Sequence, residues 1–142
     1  MTEGAKRIAE RIFRIVAEAE AKAHAKPVDE VHFHEVGAVD SIVDIAAAAI
    51  CLDELAPDEV IVSALAEGSG TVRTQHGILP IPVPAVVGIA ASEGLTLKSS
   101  GVHGELVTPT GAAIAAAVRT GDELPVNMKI QKAGLGAGKR DY

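Results

Sequence analysis

The sequence predicts an α/β fold, a mixed α+β sandwich in which helices pack on a mixed β-sheet as a single domain over 1–142. Three observations predict it. Stretches with helical periodicity alternate with stretches of period two, but without the regular βαβ spacing of a doubly wound sheet. The segment Ile78–Pro84 places prolines at alternate positions, which forbids both a central strand and an internal helix in the middle of the chain. Finally, 142 residues that are 48% apolar and only 2% aromatic suit one domain whose core is made of Ala, Val, Ile and Leu.

Taken in order, residues from about Ala5 to Ala25 form an amphipathic helix, with Ile8, Ile12, Ile15, Val16 and Ala19 at helical spacing. Lys26-Pro27 ends it, because the residue before proline is pushed out of the helical region. His24, near its end, is given no functional role. Val31–Val36 alternates as a strand, and Gly37 breaks it before an alanine-rich helix from Asp40 to Leu55. Ser41 fits the N-cap of this helix, with Asp44 completing a capping box. Cys51, on its apolar part, reads as a buried small hydrophobe.

After Pro57, the dense β-branched run within Glu59–Ala66 reads as a strand. Gly68-Ser69-Gly70 makes a turn or a close approach. Thr71–Gln75 is a further strand, and His76-Gly77 a second turn. Pro84 stands at the first position of the helix Ala85–Ser92, which Gly94 ends. Leu95–Ser99 reads as a short strand, followed by a loop carrying His103. Thr108 and Pro109 have the N-cap and first-position chemistry of a helix that runs through Ala112–Arg119 and stops at Gly121. Val126–Lys132 alternates apolar and polar residues and reads as a half-buried strand.

The net charge is −6, and lysines and arginines are scattered apart from Lys139-Arg140. A nucleic-acid binder needs a basic face, so that class is set aside. One cysteine excludes a disulfide framework within the chain. Neither a signal peptide nor an apolar run of spanning length is seen, so the expected location is cytoplasmic, away from membranes. The small-residue surface of the second helix suits packing inside the domain or across a homo-oligomer.

Chemistry-bearing residues crowd into VHFHEVGAVDSIVDI (31–45). His32 and His34 share one strand face, and Asp40 and Asp44 share one helix face at i, i+4. Across a short Gly37-Ala38 turn the four side chains make a mixed imidazole–carboxylate metal site, a donor set that several divalent ions accept. Glu35 points to the other strand face. A structural reading competes: Asp40 and Asp44 as helix-start residues favoured by the macrodipole, and the histidines as the wet face of an edge strand. His76 and His103 are second-rank ligand or acid–base candidates. Gly134, Gly136 and Gly138 before Lys139 and Arg140 resemble an anion-binding nest, but their order is not that of a P-loop, and a flexible exit from the domain is the preferred reading.

VHFHEVGAVDSIVDI, GSG with HGILPIPVPA, GELVTPTGAA and GLGAGKRD, in that order, resemble the LarC nickel insertion proteins. The resemblance implies nickel insertion into pyridinium-3,5-bisthiocarboxylic acid mononucleotide, which completes the nickel-pincer cofactor of lactate racemase. That is a CTP-dependent cyclometallase reaction of the lyase or metal-chelatase class. Under it, Ni²⁺ is the substrate metal, His32, His34, Asp40 and Asp44 are the candidate ligands, and Glu35 and Asp40 are the candidate acceptors of the proton lost from the pyridinium ring. Gly136, Gly138, Lys139 and Arg140 are candidates for the nucleotide phosphate. The matched stretch is the middle of such a protein, as a fragment or a split gene product. The family's N-terminal glycine motif and C-terminal CTP-linked domain are not among these residues, so CTP is expected to bind elsewhere and turnover to need the remaining LarC segments. The alternative is a non-catalytic nickel-binding metallochaperone or a structural assembly domain.

Overall fold

The computed structural model describes residues 1–28 and 39–136. The expected strand Val31–Val36, with His32, His34 and Glu35, lies outside the described residues, as do Gly138, Lys139 and Arg140.

Helix α1, Glu3–Ala23, is the axis of the fold. Its N-cap is Thr2, whose Oγ1 accepts the Ala5 N–H at 3.1 Å and donates to Asp53 of the second helix at 2.5 Å. The helix buries Ala5, Ala9, Ile12, Ile15, Val16 and Ala19. Helices α2 (Val39–Leu55), α3 (Pro84–Glu93) and α4 (Pro109–Val118) all pack against it. The core where they meet is aliphatic throughout: Ile12, Val16, Ile45, Val86 and Ile89 are fully buried, with Ala49, Ala112 and Ala113 filling the close approaches.

The strands among the described residues form two small sheets. β1 (Leu65–Ser69) pairs in parallel with β4 (Leu97–His103), with a register shift between Glu67 and Ser69. β2 (Thr71–Thr74) and β3 (Gly77–Pro80) form an antiparallel hairpin. Parallel and antiparallel pairing are thus both present, as the α/β prediction requires, but divided between two sheets of two strands. Gly68 sits at the irregularity in β1, where a Cβ would collide with the carbonyl oxygen of Gly104.

The start signals of α3 and α4 and the stop signal of α3 are where the sequence puts them. Thr108 caps α4 through its Oγ1, which accepts the Gly111 N–H at 3.1 Å, and Pro109 follows in the first turn. Pro84 opens α3, and Gly94 closes it in the left-handed conformation at φ 67°.

Five readings need correction. Helix α2 already includes Val39, so Ser41 lies inside the first turn and is not the N-cap. Cys51 is exposed, not buried. The helix turns Ile45 and Ala49 to the core, and two residues beyond Ala49 is close to the opposite side. The β-branched run Val60–Val62 makes only an isolated bridge, Ile61 to Gly121, and the regular strand begins at Leu65. β4 extends to His103, which therefore ends a strand and is not in a loop. Residues 126–132 form no strand. Val126, Met128 and Ile130 are 99%, 58% and 79% exposed, because among the described residues no strand pairs with them and no face covers them.

Candidate functional site

A cavity of about 520 Å³ lies where the end of α1, the start of α2, the β2–β3 hairpin and the start of α4 converge. Each wall follows from a local feature. α1 ends in a Schellman-type turn: the Lys26 N–H donates to the Ala21 carbonyl at 2.9 Å, and Ala25 takes φ 51°. That turn leaves His24 as the C-cap residue, facing the cavity beside Glu20. The His24 Nε2 lies 3.4 Å from Glu20 Oε2.

α2 contributes Asp40, Ser41 and Asp44. The i, i+4 spacing read from the sequence does set both aspartates on one side of the helix, and that side is a cavity wall. The hairpin contributes Val72, Arg73, Thr74 and Leu79 from its strands and His76 from its turn. The turn is tied down by Thr74, whose Oγ1 accepts the His76 N–H at 3.0 Å. Gly77 follows at φ 98°, a conformation that costs glycine little. From the α4 side come Glu105 and the capping residues Thr108 to Thr110.

The loop that carries Glu105 is held from below by a buried carboxylate. Glu67 on β1 is 2% exposed. Its Oε1 accepts the backbone N–H groups of Gly68, Leu106 and Val107 at 2.7, 3.0 and 3.2 Å. Its Oε2 is buried with no hydrogen-bond partner among the described residues.

Of the predicted site residues, Asp40 and Asp44 are brought together, and His76 joins them at the same cavity. His103 does not line it. Gly136 is exposed in a coil, and a Cβ added there would meet nothing within 4 Å among the described residues. Several contributors were not anticipated. His24, assigned no role, stands with its ring centre 4.8 Å from that of His76, the planes tilted by 55°. Glu20 backs it. No local pattern signals this pairing, since the two histidines come from distant parts of the chain. Arg73 adds a cation to a rim otherwise supplied with carboxylates. Among the described residues, no three His, Cys, Asp or Glu side chains converge tightly enough to hold a metal ion by themselves.

A family model described as "Nickel insertion protein" matches residues 1–142. A protein of Alkaliphilus metalliredigens named pyridinium-3,5-bisthiocarboxylic acid mononucleotide nickel insertion protein is 58% identical over 141 residues, which is 99% of this chain and 34% of that protein. One of the same name from Acetivibrio thermocellus is 45% identical over 140 residues, with 99% and 34% covered. A putative nickel insertion protein of Geotalea daltonii is 52% identical over 134 residues, with 94% and 34% covered. The chain therefore spans about a third of the length of the curated relatives it matches. No solved structure matches it. No described helix is long and apolar enough to cross a membrane.

Proposed function

Because this chain belongs to the nickel insertion protein family, we propose that it supplies the nickel-holding part of an enzyme that inserts Ni²⁺ into pyridinium-3,5-bisthiocarboxylic acid mononucleotide. The observation that carries this reading is the cavity, where Asp40 and Asp44 face the same space as His24 and His76. Imidazole and carboxylate together suit a borderline divalent ion such as Ni²⁺. His32 and His34, close to Asp40 in sequence, complete the proposed ligand set with Asp40 and Asp44.

The substrate brings soft sulfur donors of its own. Transfer then needs the protein to hold nickel by few enough groups that the sulfurs can replace water on the ion. As the carbon–nickel bond forms, the pyridinium carbon loses its proton, and Glu35 or Asp40 accepts it as a general base. Arg73, on the same wall, offers a donor for an anionic group of the substrate. Gly136, Gly138, Lys139 and Arg140 remain proposed contacts for the nucleotide phosphate. CTP is assigned to other segments of the LarC protein, and the cytoplasm is the proposed compartment.

The test is an insertion assay with this chain, the mononucleotide, Ni²⁺ and CTP, run with and without the remaining segments of a full-length relative. Mass spectrometry of the nucleotide reads the outcome. Nickel incorporation that needs this chain and falls in an Asp40→Asn/Asp44→Asn variant supports the reading. Incorporation by the remaining segments without this chain contradicts it. Stoichiometric Ni²⁺ binding without incorporation in any mixture favours the metallochaperone alternative.

A further inference from the structure

We propose that His24 and His76 form an imidazole pair that takes one Ni²⁺ ion at the mouth of the cavity, with Glu20 fixing the orientation of His24. This deepens the nickel insertion reading and rests on it.

The geometry fits a shared ion. With metal–nitrogen distances of about 2.0–2.1 Å, as for zinc, two imidazoles in neighbouring positions on one ion have ring centres roughly 4.5 Å apart. The observed separation is 4.8 Å, and the 55° tilt keeps the rings from stacking face to face.

Glu20 supplies the second observation. A metal-bound histidine commonly turns its other ring nitrogen to a carboxylate, which fixes the ring and raises its basicity. His24 already has this arrangement: Nε2 faces Glu20 Oε2 at 3.4 Å, so Nδ1 is the nitrogen presented to a metal. Glu20 is well covered, with its side chain 17% exposed, while that of His24 is 34% exposed. The carboxylate is thus anchored and the imidazole reachable from solvent. His24 is also the C-cap of α1, where helix carbonyls favour a nearby cation.

The pair is incomplete as a metal cage, and that suits cargo. A structural metal site closes all positions with protein ligands, whereas a site that hands over its ion keeps positions open. Two imidazoles leave the other positions on nickel to water, and water is what thiocarboxylate sulfurs displace. Asp40 and Asp44 line the same cavity and give the ion a second, harder set of donors along the way. A ring–ring packing contact with no metal role is the competing account of the same geometry.

The experiment titrates the metal-stripped chain with nickel chloride by calorimetry, in wild type and in His24→Ala, His76→Ala and His103→Ala variants. Sub-stoichiometric Ni²⁺ is also added to the wild type, and paramagnetic broadening of the histidine ring protons is followed by NMR, which needs no variant to fold. The expected result is affinity weakened tenfold or more in His24→Ala and in His76→Ala and unchanged in His103→Ala, with the His24 and His76 ring signals broadened together. Tight wild-type binding that survives both substitutions, or broadening that spares these two rings, overturns the pair while leaving the nickel reading in place. Absence of Ni²⁺ binding by the wild type overturns both.

Discussion

Glu67 on β1 accepts the backbone N–H of Leu106, 39 residues away, at 3.0 Å, and the N–H of Val107 through the same oxygen. One buried carboxylate oxygen thus pins the segment between β4 and α4, which carries Glu105 to the cavity wall and sets the approach to the Thr108 cap. Replacing Glu67 with Ala leaves buried N–H groups without an acceptor, at roughly 1–3 kcal/mol for each such group. The expected loss in a Glu67→Ala variant is therefore about 3 kcal/mol, read as a lower midpoint in urea denaturation. A loss under about 0.5 kcal/mol, the size of an ordinary surface change, would mean that the segment holds itself.

Arg119 joins two helix ends in a comparable way. Its Nη1 donates to the Gly94 carbonyl at 2.9 Å and its Nη2 to the Glu93 carbonyl at 2.8 Å, so the guanidinium closing α4 caps the C-terminus of α3. Carbonyls at a helix end favour a cation, and the planar fork serves two of them at once. Arg119→Ala should destabilise the fold by about 1–3 kcal/mol. Arg119→Lys should recover only part of that, because a single ammonium does not reproduce the fork. Equal stability of the Lys variant and wild type would show that charge alone suffices.

The turn after α1 holds a removable strain. Ala25 sits at φ 51°, where a Cβ costs roughly 1–2 kcal/mol. Glycine there removes that cost, offset by about 0.4–1 kcal/mol of added freedom in the unfolded chain. Ala25→Gly should raise stability by about 0.5 kcal/mol in thermal or urea unfolding. A fall in stability would mean that the turn is held elsewhere.

Several features written in local chemistry were legible in the sequence, though Ser41 is not the cap that its capping-box pattern suggested. Thr108-Pro109, Pro84 and Gly94 mark helix ends because a cap or a fixed φ acts within a few residues, and the structure places all of them as read. The spacing of Asp40 and Asp44 was legible for the same reason. Features decided by partners were not. Val126 to Lys132 has a strand's alternation, but a strand needs a neighbour to pair with. Helix α2 is apolar nearly all round, so its sequence does not say which side turns inward, and Cys51 came out exposed. The contact of His24 with His76 depends on how a helix end meets a hairpin turn, and no pattern along the chain encodes it. Residue types alone left the 31–45 cluster open between a metal site and a capped helix start. The cavity beside Asp40 and Asp44, in a chain of the nickel insertion family, is what favours the metal.

The most direct measurement is calorimetric titration of the metal-stripped chain with Ni²⁺, alongside Asp40→Asn/Asp44→Asn and His32→Ala/His34→Ala variants. A nickel site at this cavity predicts stoichiometric binding by the wild type and affinity roughly tenfold or more weaker in each double variant. Equally weak binding by all three proteins would contradict it, and would place nickel handling in the parts of the relatives that this chain does not span.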